Sequence, residues 1–140
     1  MTQSRSLKNL RRTLYVLAVI PIVAGAATAL LGSDSLPRAG KPTASIESEL
    51  RFFSVWWIGA GLFLVWLARR IGQRTLELRV FCGLLFLAGL SRVLGILDAG
   101  WPSTLQIVLM GLELSLPVVL VVWQAKAVAS RKPAPEMDGR

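Results

Sequence analysis

Histidine is absent from this 140-residue chain, and cysteine occurs once, as Cys82. Without histidine the chain lacks the commonest metal ligand and the usual general base near neutral pH. One cysteine provides neither an internal disulfide nor the two thiols of a redox relay. Serine or cysteine nucleophiles would therefore have no histidine to activate them. We expect no metal and no cofactor, and no motif in the sequence indicates a reaction.

Long apolar runs, by contrast, dominate the chain. Hydrophobic residues make up 54% of it, with a mean hydropathy of +0.57, whereas soluble domains average about 45–50% apolar. A helix needs ~20 apolar residues to cross about 30 Å of hydrocarbon. The sequence therefore predicts an all-α integral membrane protein, a transmembrane four-helix bundle. Its predicted parts are an N-terminal segment at 1–13, a membrane domain at 14–123 with spans at 14–31, 50–68, 80–97 and 103–123, and a tail at 124–140.

The basic residues, which give a net charge of +8, are distributed unevenly between the connections. They gather before the first span, between the second and third, and after the fourth, while the other two connections hold only Arg38 and Lys41. This positive-inside pattern predicts a multi-pass membrane protein with both termini in the cytoplasm. It argues against nucleic acid as a partner and favours membrane lipids. A second copy of the chain or another membrane protein is a further candidate partner.

The first span has two interpretations. Basic residues, an apolar core and the small residues AGAATA at 24–29 are typical of a cleaved secretory signal. The apolar run continues through Leu30 and Leu31, however, which is longer than a typical signal core. Retention as the first transmembrane helix is the preferred interpretation, and cleavage stays an alternative.

The segment 32–45 is a turn-rich loop that leads into the second helix. We predict Ser45 as the N-cap of this helix. Glu47 and Glu49 would then lie in its first turn, where the helix dipole favours carboxylates. Glu47 and Arg51 have the spacing of an i,i+4 ion pair. These residues are interpreted as an interfacial cap and ion pair, or alternatively as part of a ligand site.

Tryptophan and proline mark further positions. Trp101 is expected at the outer membrane interface, and Pro102 at the first position of the fourth helix. Trp56 and Trp57 lie deeper in the second helix, as packing residues or as the lining of a pocket.

An arginine interrupts the third apolar run, in the stretch GLSRVLGIL at 89–97. Arg92 lies roughly 7.5 Å below the outer end of its helix and leans deeper, because helical side chains lean toward the N-terminus. Glu113 lies about 15 Å along the fourth helix and leans outward. A charge at the centre of a membrane helix costs ~2.5–3.5 kcal/mol and usually pairs inside the bundle. We therefore predict an Arg92–Glu113 pair.

Polar residues continue along the same face of the fourth helix. Gln106, Glu113, Pro117 and Gln124 fall within about 60° of one another at 100° per residue. Gly89 and Gly95 lie three residues on either side of Arg92, where a neighbouring helix or a ligand could approach closely. The candidate site is this seam together with the charged start of the second helix: Arg92, Glu113, Gln106, Glu47, Glu49 and Arg51.

The stretches ESELRFFSVWWIGAGLFLVW, FLAGLSRVLGIL and LELSLPVVL resemble a bacterial four-helix membrane family, domain of unknown function 4345. The resemblance runs from about Glu47 to Trp123, and it places family positions at Glu49 through Phe52, at Arg92 and at Glu113. It implies a small integral protein of the bacterial cytoplasmic (inner) membrane and supplies no activity.

Three functions remain as hypotheses. The first is a non-enzymatic membrane protein whose polar seam locks the bundle and binds a lipid, isoprenoid or small amphiphile, or stabilises a partner. The second is a membrane-embedded enzyme that uses Glu113 as acid or base on a lipophilic substrate. The third is an oligomeric proton-coupled transporter, because intramembrane carboxylates often relay protons. The absence of a nucleophile, metal set or cofactor motif favours the first.

Overall fold

The structure, a computed structural model, describes residues 2–37 and 40–129, with the backbone alone for residues 2–4. Over this part the chain forms helices α1 (Thr2–Leu31), α2 (Ala44–Arg69), α3 (Thr75–Ala99) and α4 (Thr104–Ala129), with a short 3-10 helix, Gly32–Ser35, after α1. No strand occurs in these residues. All four α-helices are long and apolar enough to cross a membrane. The predicted all-α fold with four candidate spans is confirmed.

The helices extend beyond the predicted apolar spans. α1 already begins at Thr2, and α4 continues to Ala129. Residues 124–129, which we predicted as the start of a tail, are therefore helical, as expected of the good helix formers Gln, Ala and Lys among them. The loop residue Arg38 and the tail residues 130–140 lie outside the described residues.

The start of α2 differs from the prediction. Thr43, not Ser45, is the N-cap: its backbone is extended, and its side chain accepts the N–H of Ile46 at 3.4 Å. Ser45 is the second residue of the helix, so the predicted N-cap is wrong. Glu47 remains in the first turn, whereas Glu49 lies beyond it. Thr and Ser are both good N-caps, and sequence alone did not separate them.

The start of α4 also differs from the prediction. The carbonyl of Ser103 accepts the N–H of Ile107 at 3.2 Å, so the helix begins at Thr104. Pro102 precedes the helix by two residues, and its predicted position inside the first turn is wrong. The preceding α3 ends at Ala99, and the next residue, Gly100, has a φ of 84°, a positive value that glycine adopts easily.

Two helical hairpins make up the bundle. α1 packs along α2 and α3 along α4, and α1 also contacts α4; within the described residues, α2 and α3 do not pack along each other. The shared core lies in the half that carries the α2–α3 connection, residues 70–74, which we call the basic end. The opposite end, with residues 32–37, 40–43 and 100–103, is the loop end. The core residues are Leu10, Leu14, Ala18, Leu64, Leu67, Ala68, Ile71, Leu78, Cys82 and Leu120.

Toward the loop end, the buried positions lie within one hairpin or the other. Gly25, Thr28 and Ser54 are buried between α1 and α2, and Gly89 is buried between α3 and α4. The hairpins are thus joined by apolar side chains at the basic end, and each is closed separately toward the loop end.

Candidate functional site

Arg92 of α3 and Glu113 of α4 form a bidentate ion pair. Arg92 Nε donates to Glu113 Oε2 at 2.7 Å, and Arg92 Nη2 donates to Glu113 Oε1 at 3.0 Å. The planar guanidinium matches both carboxylate oxygens, which makes this one of the stronger ion-pair geometries. The predicted contact between these two residues is present.

The pair is only partly enclosed by protein. The Arg92 side chain is 29% exposed and that of Glu113 is 17% exposed. A guanidinium carries five N–H donors, and Glu113 takes two of them. The described residues supply no further acceptor for Arg92. Several of its charged N–H groups, including both on Nη1, therefore have no acceptor among the described residues.

Gly89 allows α4 to approach α3 beside the pair. A Cβ at Gly89 would lie 2.9 Å from Leu114 Cδ2 and 3.2 Å from the Cβ of Glu113, both closer than real Cβ contacts allow without movement. Gly95, for which we predicted a similar role, has no atom within 4 Å of such a Cβ. Only one of the two glycines therefore contributes to the helix contact, and the other faces open space.

The orientation of the pair follows from the helical period. Arg92 is eleven residues from Phe81, so the two project within about 20° of each other at 100° per residue. Phe81 contacts Phe63 of α2, with ring centroids 5.8 Å apart. Glu113 likewise lies within about 20° of Leu120, a shared core residue. Both charged residues therefore lie on the sides of α3 and α4 that face the other hairpin.

The second polar cluster lies at the loop end and is separate from the first. Glu47 Oε1 accepts from Arg51 Nε at 3.2 Å and from Nη2 at 3.0 Å, while Glu47 Oε2 accepts the Ser33 N–H at 3.1 Å. Arg51 Nη1 also donates to the carbonyls of Ala29, at 2.8 Å, and Leu30, at 3.3 Å. A cation at these carbonyls complements the C-terminal end of the α1 dipole. This is the predicted ion pair, and it ties α1 to α2.

Backbone geometry at Gly32 also supports a structural role for Glu47. Gly32, at a φ of 60°, turns the chain after α1, and a Cβ there would collide with the Glu47 carboxylate. The carboxylate thus occupies the space that glycine leaves, and its polar atoms are used by the chain itself.

Two predicted site residues join neither cluster. Glu49 and Gln106 make no side-chain hydrogen bond among the described residues, and Glu49 is exposed. Gln124 instead has a role that the sequence did not indicate. Its Nε2 donates to the carbonyls of Ile71, at 2.9 Å, and Arg74, at 3.3 Å, at the basic end. Its position on the same face of α4 as Glu113 placed it in the predicted polar seam. The carbonyls it binds, however, lie on the α2–α3 connection, whose path the sequence did not predict.

The basic end contains two further contacts. The Arg74 guanidinium lies 3.2 Å from the centre of the Trp66 ring and donates to the Trp66 carbonyl. Trp123 Nε1 donates to Ser6 Oγ at 3.0 Å, which links α4 to α1. Across the described residues, no three His, Cys, Asp or Glu side chains cluster as metal ligands would.

Four apolar helices with a charge pair between two of them define a multi-pass membrane protein. A family model described as Domain of unknown function (DUF4345) matches residues 10–124, which include most of every helix, and the chain belongs to this family. The resemblance noted in the sequence is confirmed and extends over α1. No curated protein and no solved structure matches the chain.

Proposed function

We propose that the protein is a non-enzymatic membrane protein whose Arg92–Glu113 pair locks the α3–α4 hairpin and binds the polar head of a lipid or small amphiphile. The main observation is that Arg92, on the face of α3 toward the other hairpin, has guanidinium N–H groups for which the described residues supply no acceptor, and that its side chain is 29% exposed. Water is scarce at this depth, and an unsatisfied polar group there is costly. A ligand oxygen would relieve that cost.

Comparison with the other ion pair supports this choice of site. Arg51 makes four hydrogen bonds with its guanidinium, two to Glu47 and two to carbonyls at the end of α1. The same side-chain type at Arg92 has a carboxylate partner and nothing else in the described residues. Tying α1 to α2 thus explains the loop-end pair. The Arg92–Glu113 pair, in contrast, has N–H donors without an acceptor among the described residues.

The two alternative functions receive less support from the geometry. Both oxygens of Glu113 are held by Arg92, so an acid–base or proton-relay role would first require this pair to separate. The one cysteine, Cys82, is buried in the shared core away from the pair.

Lipid retention tests the proposal. The full chain is purified from native membranes in a mild detergent, and its bound lipid is quantified by native mass spectrometry. We expect a stoichiometric lipid on the wild type and at least about tenfold less on the double variant Arg92→Leu/Glu113→Leu, which removes both charges together. Glu49→Gln is the control, since Glu49 is exposed and unbonded among the described residues. Equal retention by the wild type and the double variant would contradict the proposal.

We also propose that the basic end faces the cytoplasm, in a bacterial inner membrane. Exposed basic side chains at that end include Lys8, Arg11, Arg12, Arg69, Arg70 and Arg79, as the positive-inside rule requires. Reporter fusions at Gly40 and Gln73 check the orientation. We expect external activity at Gly40 and cytoplasmic activity at Gln73, and the reverse pattern would refute it.

A further inference from the structure

An aromatic row continues along α2 beyond its contact with α3. Phe52 lies eleven residues before Phe63, and Trp56 lies seven residues before it. Both therefore project within about 20° of the direction of Phe63. Phe63 contacts Phe81 of α3, whereas Phe52 and Trp56 are 57% and 65% exposed. The Phe52 and Trp56 rings contact each other edge to face, with centroids 6.4 Å apart. Within the described residues, the ring contacts of Phe52 and Trp56 are all to other side chains of α2, so the row extends toward the loop end largely exposed.

Arg92 lies across from this row. Arg92 is eleven residues from Phe81, and Phe52 is eleven residues from Phe63, so in antiparallel helices both lie about 16 Å from the Phe63–Phe81 contact. Trp56, at seven residues, lies about 10 Å from it. Arg92 leans back toward the N-terminus of α3, which brings its guanidinium toward the level of Trp56. An aromatic surface and a charge pair thus face each other across the space between α2 and α3.

These two helix faces meet little of the rest of the described chain. Within the described residues, α2 and α3 do not pack along each other. A Cβ added at Gly59 of α2 or Gly95 of α3 would meet no atom within 4 Å. We call this space the α2–α3 cleft, defined by Phe52, Trp56, Phe63, Phe81 and Arg92, with the Phe63–Phe81 contact at its inner limit.

We propose that the α2–α3 cleft binds an uncharged amphiphile, with a ketone, ester or hydroxyl oxygen at Arg92 and a flat ring or unsaturated chain against Phe52 and Trp56. This inference rests on the proposed function and specifies its ligand class. Charge decides between classes of head group. Arg92 and Glu113 together are formally neutral, and an anionic phosphate at Arg92 would lie beside the Glu113 carboxylate in a medium of low dielectric. A neutral oxygen accepts the same N–H groups without that repulsion.

The apolar part of the ligand follows from the aromatic row. Phenylalanine and tryptophan faces pack well against flat or π-rich groups in offset or edge-to-face arrangements. A saturated acyl chain gains no such geometry from the row. The combination of a neutral oxygen and a flat body therefore fits the cleft better than a phospholipid head group does.

Two probes test the class of ligand on the purified full chain in nanodiscs. The first is a benzoquinone with a decyl tail, which is flat and carries carbonyl oxygens, and the second is dioctanoyl phosphatidic acid. We expect saturable quenching of tryptophan fluorescence by the quinone and no saturable binding of phosphatidic acid. Trp56→Leu should weaken quinone binding about five- to tenfold. Trp101→Leu is the matched control, because Trp101 is 77% exposed and lies at the loop end outside the cleft; it should leave the dissociation constant unchanged.

The outcomes separate this inference from the proposed function. Saturable phosphatidic acid binding that depends on Arg92, without quinone binding, would overturn the inference and leave the proposed function standing. The inference would also be overturned if Trp56→Leu left quinone binding unchanged, or if Trp101→Leu weakened it equally. Absence of binding by either probe overturns the inference, while the lipid-retention experiment decides the proposed function independently. Since Trp56 is exposed, its substitution spares the core, and the result is interpretable even where the charge double variant does not fold.

Discussion

The two hairpins are closed by different means. In α1–α2, glycines bring one helix against the backbone of the other: a Cβ at Gly25 would lie 2.6 Å from the Ser54 carbonyl oxygen, and one at Gly61 would lie 2.8 Å from that of Ala18. In α3–α4, the one tight glycine, Gly89, contacts side chains of α4, and the Arg92–Glu113 pair spans the helices. In an apolar 18-residue segment of each helix, 22% of the residues are buried in α1 and in α2, whereas 11% are buried in α3 and in α4.

This difference indicates a division of labour within the bundle. Close backbone approach through small residues is an effective way to hold membrane helices together, because lipid leaves no hydrophobic drive for association. The first hairpin uses it and is further tied by Arg51 at the loop end. The second hairpin has one tight glycine, Gly89, and one partly exposed ion pair.

The largest effect is expected from breaking the backbone contact of the first hairpin. Gly25→Val places a branched side chain against the Ser54 carbonyl oxygen and the Ile58 backbone nitrogen, 2.6 and 3.0 Å from the position of a Cβ. Backbone atoms yield less than side chains, so we expect a loss of about 3 kcal/mol in the free energy of unfolding. Unfolding by denaturing detergent, followed by circular dichroism, measures it.

The control for this change lies on the facing helix. Gly59→Ala introduces a Cβ with no atom within 4 Å, and the helix propensity of alanine should leave stability equal or slightly raised. Equal losses in Gly25→Val and Gly59→Ala would show that the contact between α1 and α2 is not the cause.

The sequence predicted the helices and the charge pair for reasons that can be stated. Four long apolar runs admit few other structures in a membrane. Arg92 and Glu113 are charges on successive antiparallel helices, and their opposite lean closes a difference in depth of about 7 Å, so their pairing followed from helix geometry. The N-cap at Thr43 was missed because Ser45 offers the same chemistry two residues later.

The arrangement of the hairpins was beyond the reach of sequence patterns. In a soluble bundle the apolar stripe marks the core, but in a membrane the faces toward lipid and toward protein are both apolar. Periodicity therefore did not indicate that the shared core lies at the basic end, or that Phe63 contacts Phe81 while Trp56 remains exposed. The capping of α1 by Arg51 depends on the same tertiary arrangement.

A smaller effect is expected from breaking the ion pair of the second hairpin. Glu113→Leu leaves a permanently charged guanidinium without its carboxylate, and we expect a loss of about 2 kcal/mol in the free energy of unfolding. The value lies below that for a fully buried pair, because Arg92 is 29% exposed and polar contacts in membranes average only ~0.6 kcal/mol. Arg92→Leu should cost less, about 1 kcal/mol, because a lone carboxyl group can take up a proton and become neutral.

The double variant Arg92→Leu/Glu113→Leu completes the thermodynamic cycle. It leaves no uncompensated charge, so its stability should recover most of the loss of Glu113→Leu, and the coupling energy between the two positions should be clearly different from zero. Single effects that simply add would contradict a direct interaction between the two side chains.

The cycle is measured twice, with and without the decyl benzoquinone. Because the ligand is expected at this pair, the quinone should stabilise the wild type and leave the double variant unchanged. A quinone shift of equal size in both proteins would show that the pair holds the second hairpin together without binding the ligand.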